Sequence, residues 1–200
     1  MTTTDDAKRS KFLALVLRHD PGRIGIELDE GGWTSVPALL AACAAHGVPI
    51  SAEALRALVE RSDKQRFALS PDGTRIRASQ GHSVPVDLGL PVVTPPERLF
   101  HGTVEAALAG IRERGLLRGS RHDVHLSSDP ATAARVGARR GRPVVLAVRA
   151  AEMAAVGHAF RRADNGVWLV EHVPPEFVEL PAPTPCPTDP HSDSPHAPPA

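Results

Sequence analysis

Apolar positions in the first eighty residues recur at two different periods. From Asp6 to Arg18, residues Phe12, Leu13, Val16 and Leu17 fall at helical spacing, with Leu15 widening the face. Pro21 disfavours helix at Asp20, which places Arg18 and His19 at the helix's final turn, where the helix dipole stabilises a cation. Ile24, Ile26 and Leu28 then alternate with polar residues at the two-residue period of a short strand, closed by Asp29-Glu30-Gly31-Gly32. Ser35 is positioned to cap a helix with Pro37 in its first turn, ending near His46-Gly47. Ser51 caps another over Ala52 to Arg61, with Leu55, Leu58 and Val59 inward. Arg66-Phe67-Ala68-Leu69 and Arg75-Ile76-Arg77-Ala78 flank Ser70-Pro71-Asp72-Gly73-Thr74, a hairpin signal.

Helix, strand, helix, helix and hairpin is the element order of a winged helix-turn-helix, which binds nucleic acid through its third helix and wing. The spacing leaves open whether Arg66, Arg75 and Arg77 of the wing, with Lys64 before it, meet phosphates or are strand-edge charges. Residues 84 to 97 carry four prolines and a glycine, and read as an extended connector. Beyond it, Arg98 to His101 form a strand, and Thr103 is a natural N-cap for a helix over Val104 to Arg114, with Gly115 as its stop. Asp123 to Ser127 form a strand, Asp129-Pro130 start a helix through Arg140, and Pro143 to Val148 make a buried strand. A short helix holds Glu152 and Met153, and Phe160 to Arg162 pairs with Val167 to Val170 around Asn165-Gly166. Val173 to Val178 finishes a mixed sheet. The expected division is residues 1–83, a connector at 84–97, a second unit at 98–180, and a tail at 181–200 whose eight prolines predict disorder.

Composition narrows the classes. Net charge is zero, which excludes a uniformly basic nucleic-acid binder and permits a local basic groove. Cys43 and Cys186 are far apart, so no disulfide framework is expected and a reducing, cytoplasmic setting fits. No apolar run approaches the about 18 residues that span a bilayer, and Thr-Thr-Thr-Asp-Asp at the N-terminus is unlike a signal peptide. No membrane partner and a monomeric state are expected. His122 and His125, three apart on a predicted strand, should face opposite sides, so no metal site is expected.

The charge is unevenly spread. Between residues 112 and 149 lie nine arginines and three acids. That imbalance, beside His101, His125, Ser127 and Ser128, predicts a surface that receives anions. Three runs carry a further signal: His-Gly-Thr at 101–103, Arg-x-x-x-His-Leu-Ser at 121–127, and Val-Gly-x-Arg-x-Gly-x-Pro-Val-Val-Leu at 136–146. Together they resemble the NAD-binding half of the RNA (tRNA) 2′-phosphotransferases. The likeness extends to Arg18-His19, Asp63 to Phe67 and Gln80-Gly81-His82-Ser83, and covers roughly residues 8 to 180.

The resemblance implies an α+β chain with a winged-helix RNA-binding lobe and an ADP-ribosyltransferase-like mixed α/β lobe. It implies Arg18, His19, Arg66 and Arg139 as the catalytic set, with Arg121 and Arg140 as competitors for the fourth place. His101, Gly102 and Thr103 would hold NAD, with Gly102 admitting the cofactor backbone. Ser127 and Ser128, leading into a helix N-terminus, suit a pyrophosphate or ribose; alternatively Ser128 or Asp129 merely caps that helix. The implied reaction has two steps. An internal RNA 2′-phosphate displaces nicotinamide from NAD, and the ribose 2″-hydroxyl then attacks phosphorus. The products are 2′-hydroxyl RNA and ADP-ribose 1″,2″-cyclic phosphate. Phe100 departs from the tyrosine often found before His-Gly-Thr in the family, and Arg161-Arg162 add charge where less is expected. The alternatives are an ADP-ribosyltransferase acting on nucleic-acid phosphate ends, and a non-enzymatic winged-helix regulator that senses NAD.

Overall fold

The computed structural model describes residues 3–61 and 65–180, so Lys64 of the expected wing and the tail at 181–200 lie outside the described residues. Helix α1 (Thr3–Val16) carries Asp5 and Asp6 in its first turn, where they complement the dipole, and buries Leu13 and Val16. Strand β1 (Thr34–Ser35) leads into α2 (Val36–Ala45), whose N-cap Ser35 accepts from Ala38 N. Ser51 caps α3 (Ala52–Glu60) in the same way, accepting from Ala54 N. Strands β2 (Phe67–Leu69) and β3 (Arg75–Ala78) form the expected hairpin, and β1 adds to β3, giving an antiparallel sheet ordered β1-β3-β2. Leu13, Leu17, Leu39, Leu55, Phe67 and Ile76 meet in one apolar core drawn entirely from this part of the chain.

The alternation at Ile24, Ile26 and Leu28 does not make a strand. Pro21–Ile24 is a single 3-10 turn that ends at Gly25 in the left-handed region (φ 68°). Ile24 and Ile26 are nevertheless buried, at 3% and 6% exposure. The pattern identified which side chains go inward, while no neighbouring edge lies alongside to complete a ladder.

The second core is built on β4 (Arg98–Val104), followed by α4 (Leu108–Arg114), β5 (Leu116–Leu117), β6 (Val124–Leu126) and α5 (Pro130–Gly137). Then come β7 (Pro143–Arg149), α6 (Ala150–Ala155), β8 (Arg161–Arg162), β9 (Trp168–Val170), β10 (His172–Val173) and β11 (Val178–Glu179). The sheets are ordered β11-β7-β4, β6-β9-β8 and β10-β5, and every ladder between named strands is antiparallel, where a mixed sheet was expected. A bridge between Phe100 and Ser127 joins the first two. Leu99, Leu146, Val148, Met153 and Phe160 are fully or almost fully buried here.

Two boundaries moved. Strand β4 continues through Thr103 to Val104, because β7 pairs with it residue for residue as far as Val104–Pro143. Thr103 is therefore a buried strand residue and not an N-cap; a 3-10 turn (Glu105–Ala107) intervenes before α4. Helix α5 ends at Gly137, short of Arg140. Gly102 and Gly137 explain the close approach of α5 to β4. A Cβ on Gly102 would fall 1.8 Å from the Ala133 carbonyl oxygen, and one on Gly137 would fall 2.8 Å from that of Thr103. Side chains at either place would force the helix off the sheet.

Candidate functional site

The site begins where α1 stops. The carbonyl of Arg18 accepts from Ser83 N (2.9 Å), so the segment leaving β3 docks on the helix end and satisfies a backbone group there. Ser83 also reaches His19: its Oγ lies 2.9 Å from His19 Nδ1. Arg18 is 9% exposed, and its Nη2 donates to the Arg66 carbonyl at 3.3 Å. Arg66 follows Gln65, which takes a left-handed conformation (φ 37°), and its Nη1 donates to Ser10 Oγ of α1 at 2.9 Å. Helix α1, the wing and the docked segment thus hold Arg18, His19 and Arg66 together.

The second core supplies the facing groups. Gly81, at φ 87°, occupies the gap between them. A Cβ there would lie 3.7 Å from Arg18 Nη1, 3.7 Å from His125 Nε2 and 3.9 Å from Arg121 Nε. Arg121 Nη1 donates to His125 Nδ1 at 3.3 Å. None of Arg18, Arg66, Arg121, Arg139 and Arg140 has a carboxylate partner among the described residues. Like charges therefore work on one another. Burial, then Arg121, then Arg66 bring Arg18 down to about 10, and Arg18 Nε has no hydrogen-bond partner among the described residues. Arg66 is lowered by burial and Arg139, and Arg121 by burial, Arg140 and Arg139. His19 is lowered by burial and by Arg18 and Arg121. Arg18 is buried, Arg66 half-buried, and Arg121, Arg139 and Arg140 exposed; cations gathered without a carboxylate partner among the described residues suit an anion.

Of the three candidates for the fourth cation, Arg121 stands against Arg18 and His19. Arg139 lies in the turn after α5, in the field of Arg66 and Arg121, while the charge of Arg140 bears on Arg121 and His101.

His101 turns its Nδ1 to the His125 carbonyl (3.1 Å). A carbonyl only accepts, so Nδ1 carries the proton and Nε2 remains an acceptor. Burial holds this imidazole below its ordinary value, in the neutral form that acceptance needs. Gly102 has α5 packed directly against it, with no room for a Cβ. Thr103 is buried beside it. Ser127 Oγ accepts from Asp129 N, and Ser128 is exposed. Asp129 caps α5, accepting from Ala131 N and Thr132 N. With a carboxylate already at that helix terminus, the two serines suit a hydroxyl better than a pyrophosphate.

The other arginines of the wing have different surroundings. Arg77 lies over the Trp33 ring (4.6 Å), donates to the carbonyls of Gly31 and Leu88, and pairs with Asp164 at 3.6 Å. Arg75 pairs with Asp29 at 3.1 Å.

Gly81 borders Arg18, Arg121 and His125, and His82 follows it, although periodicity gave no reason to select Gly81 or His82. The Gln80 to Ser83 run and the positive φ demanded of Gly81 were the available signals. His122 precedes β6, so the alternation rule does not apply to it, and it lines a cleft together with His125. No group of three or more metal-ligating side chains occurs among the described residues, and none of their helices is long and apolar enough to cross a membrane.

The model of a family described as RNA 2′-phosphotransferase, Tpt1/KptA matches residues 4–172. A probable RNA 2′-phosphotransferase of Streptomyces coelicolor is 58% identical over 176 residues, covering 88% of this chain and 96% of that protein. One from Nostoc punctiforme is 54% identical over 172 residues (86% and 95%), and one from Burkholderia pseudomallei is 51% identical over 174 residues (87% and 95%).

Proposed function

The chain belongs to the RNA 2′-phosphotransferase (Tpt1/KptA) family, and from that premise we propose that it removes an internal 2′-phosphate from RNA with NAD as co-substrate. The observation that carries the reading is the convergence of Arg18, Arg66 and Arg121 without a carboxylate among them. A phosphate monoester brings two negative charges and three oxygens, and guanidinium forks meet them with charge-assisted bonds. The first core would act as a winged-helix RNA-binding lobe and the second as an ADP-ribosyltransferase-like lobe.

The residues present fit NAD as well. His101 Nε2 is an acceptor for a ribose hydroxyl, Ser127 and Ser128 stand on the next strand end, and Arg140 adds a cation for the pyrophosphate. When bound, NAD supplies the acceptor, its ribose taking the phosphate as a cyclic ester while nicotinamide leaves. Within the chain, Arg18 and Arg66 fix the RNA phosphate from the first core and Arg121 from the second. Arg139 adds charge from the turn after α5. Because the phosphate is already an anion, orientation matters more than deprotonation in its first bond-making. His19, held through Nδ1 by Ser83 and shifted toward the neutral form by burial and then by Arg18 and Arg121, takes up a hydroxyl proton at Nε2 and returns it to the departing RNA 2′-oxygen. Developing charge on phosphorus is met by the same arginines.

The test is incubation with NAD and an oligoribonucleotide bearing one internal 2′-phosphate. Loss of that phosphate with matched release of nicotinamide, both abolished when NAD is omitted, is the expected result. Stable ADP-ribosylated RNA would instead identify a transferase that stops halfway, and no reaction would overturn the assignment.

A further inference from the structure

A cleft of about 330 Å³ opens beside the cradle, within the size range of ligand pockets. Val86, Leu88 and Leu90 of the connector line it with Leu169 of β9, His82 and His125. Gly81 and His125 border both cleft and cradle, so the two form one continuous concavity.

Four of its side chains are aliphatic, and Arg118, Arg161, Asp87, Asp123 and Glu171 add charged groups to the lining. It also holds two imidazole nitrogens, His82 Nε2 and His125 Nε2, each buried and without a partner among the described residues. His82 is 2% exposed. Burying an unpartnered polar group costs stability, and the fold carries that cost twice along one cleft. The proton on His125 can be placed. Arg121 can only donate, so His125 Nδ1 accepts and its hydrogen resides on Nε2. Burial together with the neighbouring cations holds His82 at about 4 and His125 at about 3. At pH 7 both rings are neutral, so neither places a charge in the cleft. Asp123 adds an acceptor on the same cleft.

We propose that this cleft is a nucleobase subsite, receiving the base of the RNA nucleotide whose 2′-phosphate occupies the cradle, with the aliphatic side chains on its faces and His82 and His125 at its edge. The proposal rests on the function proposed above. One ribose joins the base and the 2′-phosphate of a nucleotide, so a cleft contiguous with the cradle is what a single splayed nucleotide requires. Aliphatic walls read shape, so any base is accepted and the presence of a base is what counts.

Single-turnover rates on two oligoribonucleotides with one internal 2′-phosphate test this. One is intact, and the other carries a stable abasic sugar at the phosphorylated position. The wild type should act about ten- to a hundredfold faster on the intact RNA, the span that loss of one stacked base corresponds to. Leu90→Trp, which fills the cleft and leaves the cradle alone, should bring the intact RNA down to the abasic rate and leave the abasic rate unchanged. Equal wild-type rates on both would overturn the subsite while the proposed function stands, and failure on both RNAs with NAD present would overturn that function. Calorimetry with NAD gives an independent readout. Leu90→Trp should bind NAD as the wild type does; weakened NAD binding would assign the cleft to a heterocycle of NAD and overturn the proposal. The wild-type comparison decides the matter even if the variant does not fold.

Discussion

Arg66 immediately precedes β2 and Arg77 lies on β3 of the same hairpin, eleven residues apart in a 200-residue chain, and by residue type they are interchangeable. The fold treats them in opposite ways. Arg77 is over Trp33, bonded to two carbonyls and paired with Asp164, so its charge is answered on several sides. Arg66 has one hydroxyl, Ser10, and faces Arg18 and Arg139. The first arrangement ties the connector and the second core to the hairpin. The second leaves charge unspent for a ligand. On the function proposed above, what separates a structural arginine from a binding one is the supply of counter-charge, which is a tertiary property.

That contrast can be broken most sharply at the cradle. Arg121→Ala should lower turnover about ten- to a hundredfold, the loss of one charge-assisted phosphate bond of about 1.5–3 kcal/mol, with the melting temperature unchanged or raised because like-charge repulsion is relieved. Rapid-quench kinetics and a thermal melt read both. His19→Ala should accumulate ADP-ribosylated RNA, whereas Arg66→Ala should slow substrate loss and intermediate decay alike. A large fall in melting temperature for Arg121→Ala with little change in rate would move it into the class of Arg77.

Acid should act next. His82 and His125 are held at about 4 and about 3, below the value near 6.5 of an unfolded histidine. Between those limits the unfolded chain binds more protons, so their contribution is complete above pH 6.5 and is lost as pH falls toward 4. Thermal melts should show a declining midpoint over that window, and His82→Gln should flatten it. An unchanged slope in the variant would mean that His82 does not titrate with unfolding.

Arg77→Met should cost about 1–2 kcal/mol of stability, through the lost contact with Trp33 and a partly screened ion pair, and change turnover by less than threefold. Urea titration and steady-state kinetics check this. The smallest effect belongs to Arg75→Ala: its pair with Asp29 is exposed on both sides and its contact with the Trp33 ring is longer (5.5 Å), so stability should change by about 1 kcal/mol or less. If it proved as costly as Arg77→Met, exposure would be a poor guide to which wing arginine is structural.

Local chemistry was legible from the sequence wherever a residue's role is settled within a few neighbours. Ser35 and Ser51 cap their helices, Asn165-Gly166 turns its hairpin, Gly115 stops α4, and the apolar faces of α1 and α3 go inward. These depend on dihedral preference, short-range hydrogen bonds and periodicity, all of which the chain carries in order. Ile24 to Leu28 and Thr103 show the limit, since a strand exists only where another strand lies beside it, and that partner is remote in sequence. The wider cationic region followed the same rule. Arg18, Arg66 and Arg121 could be nominated as cations, but their convergence over Gly81 depends on how segment 80–84 docks on α1 and faces β6. Only the tertiary structure could give Arg121 and Arg139 their different neighbours, and Arg66 and Arg77 theirs, because electrostatics depends on distance and burial in space and not on separation along the chain.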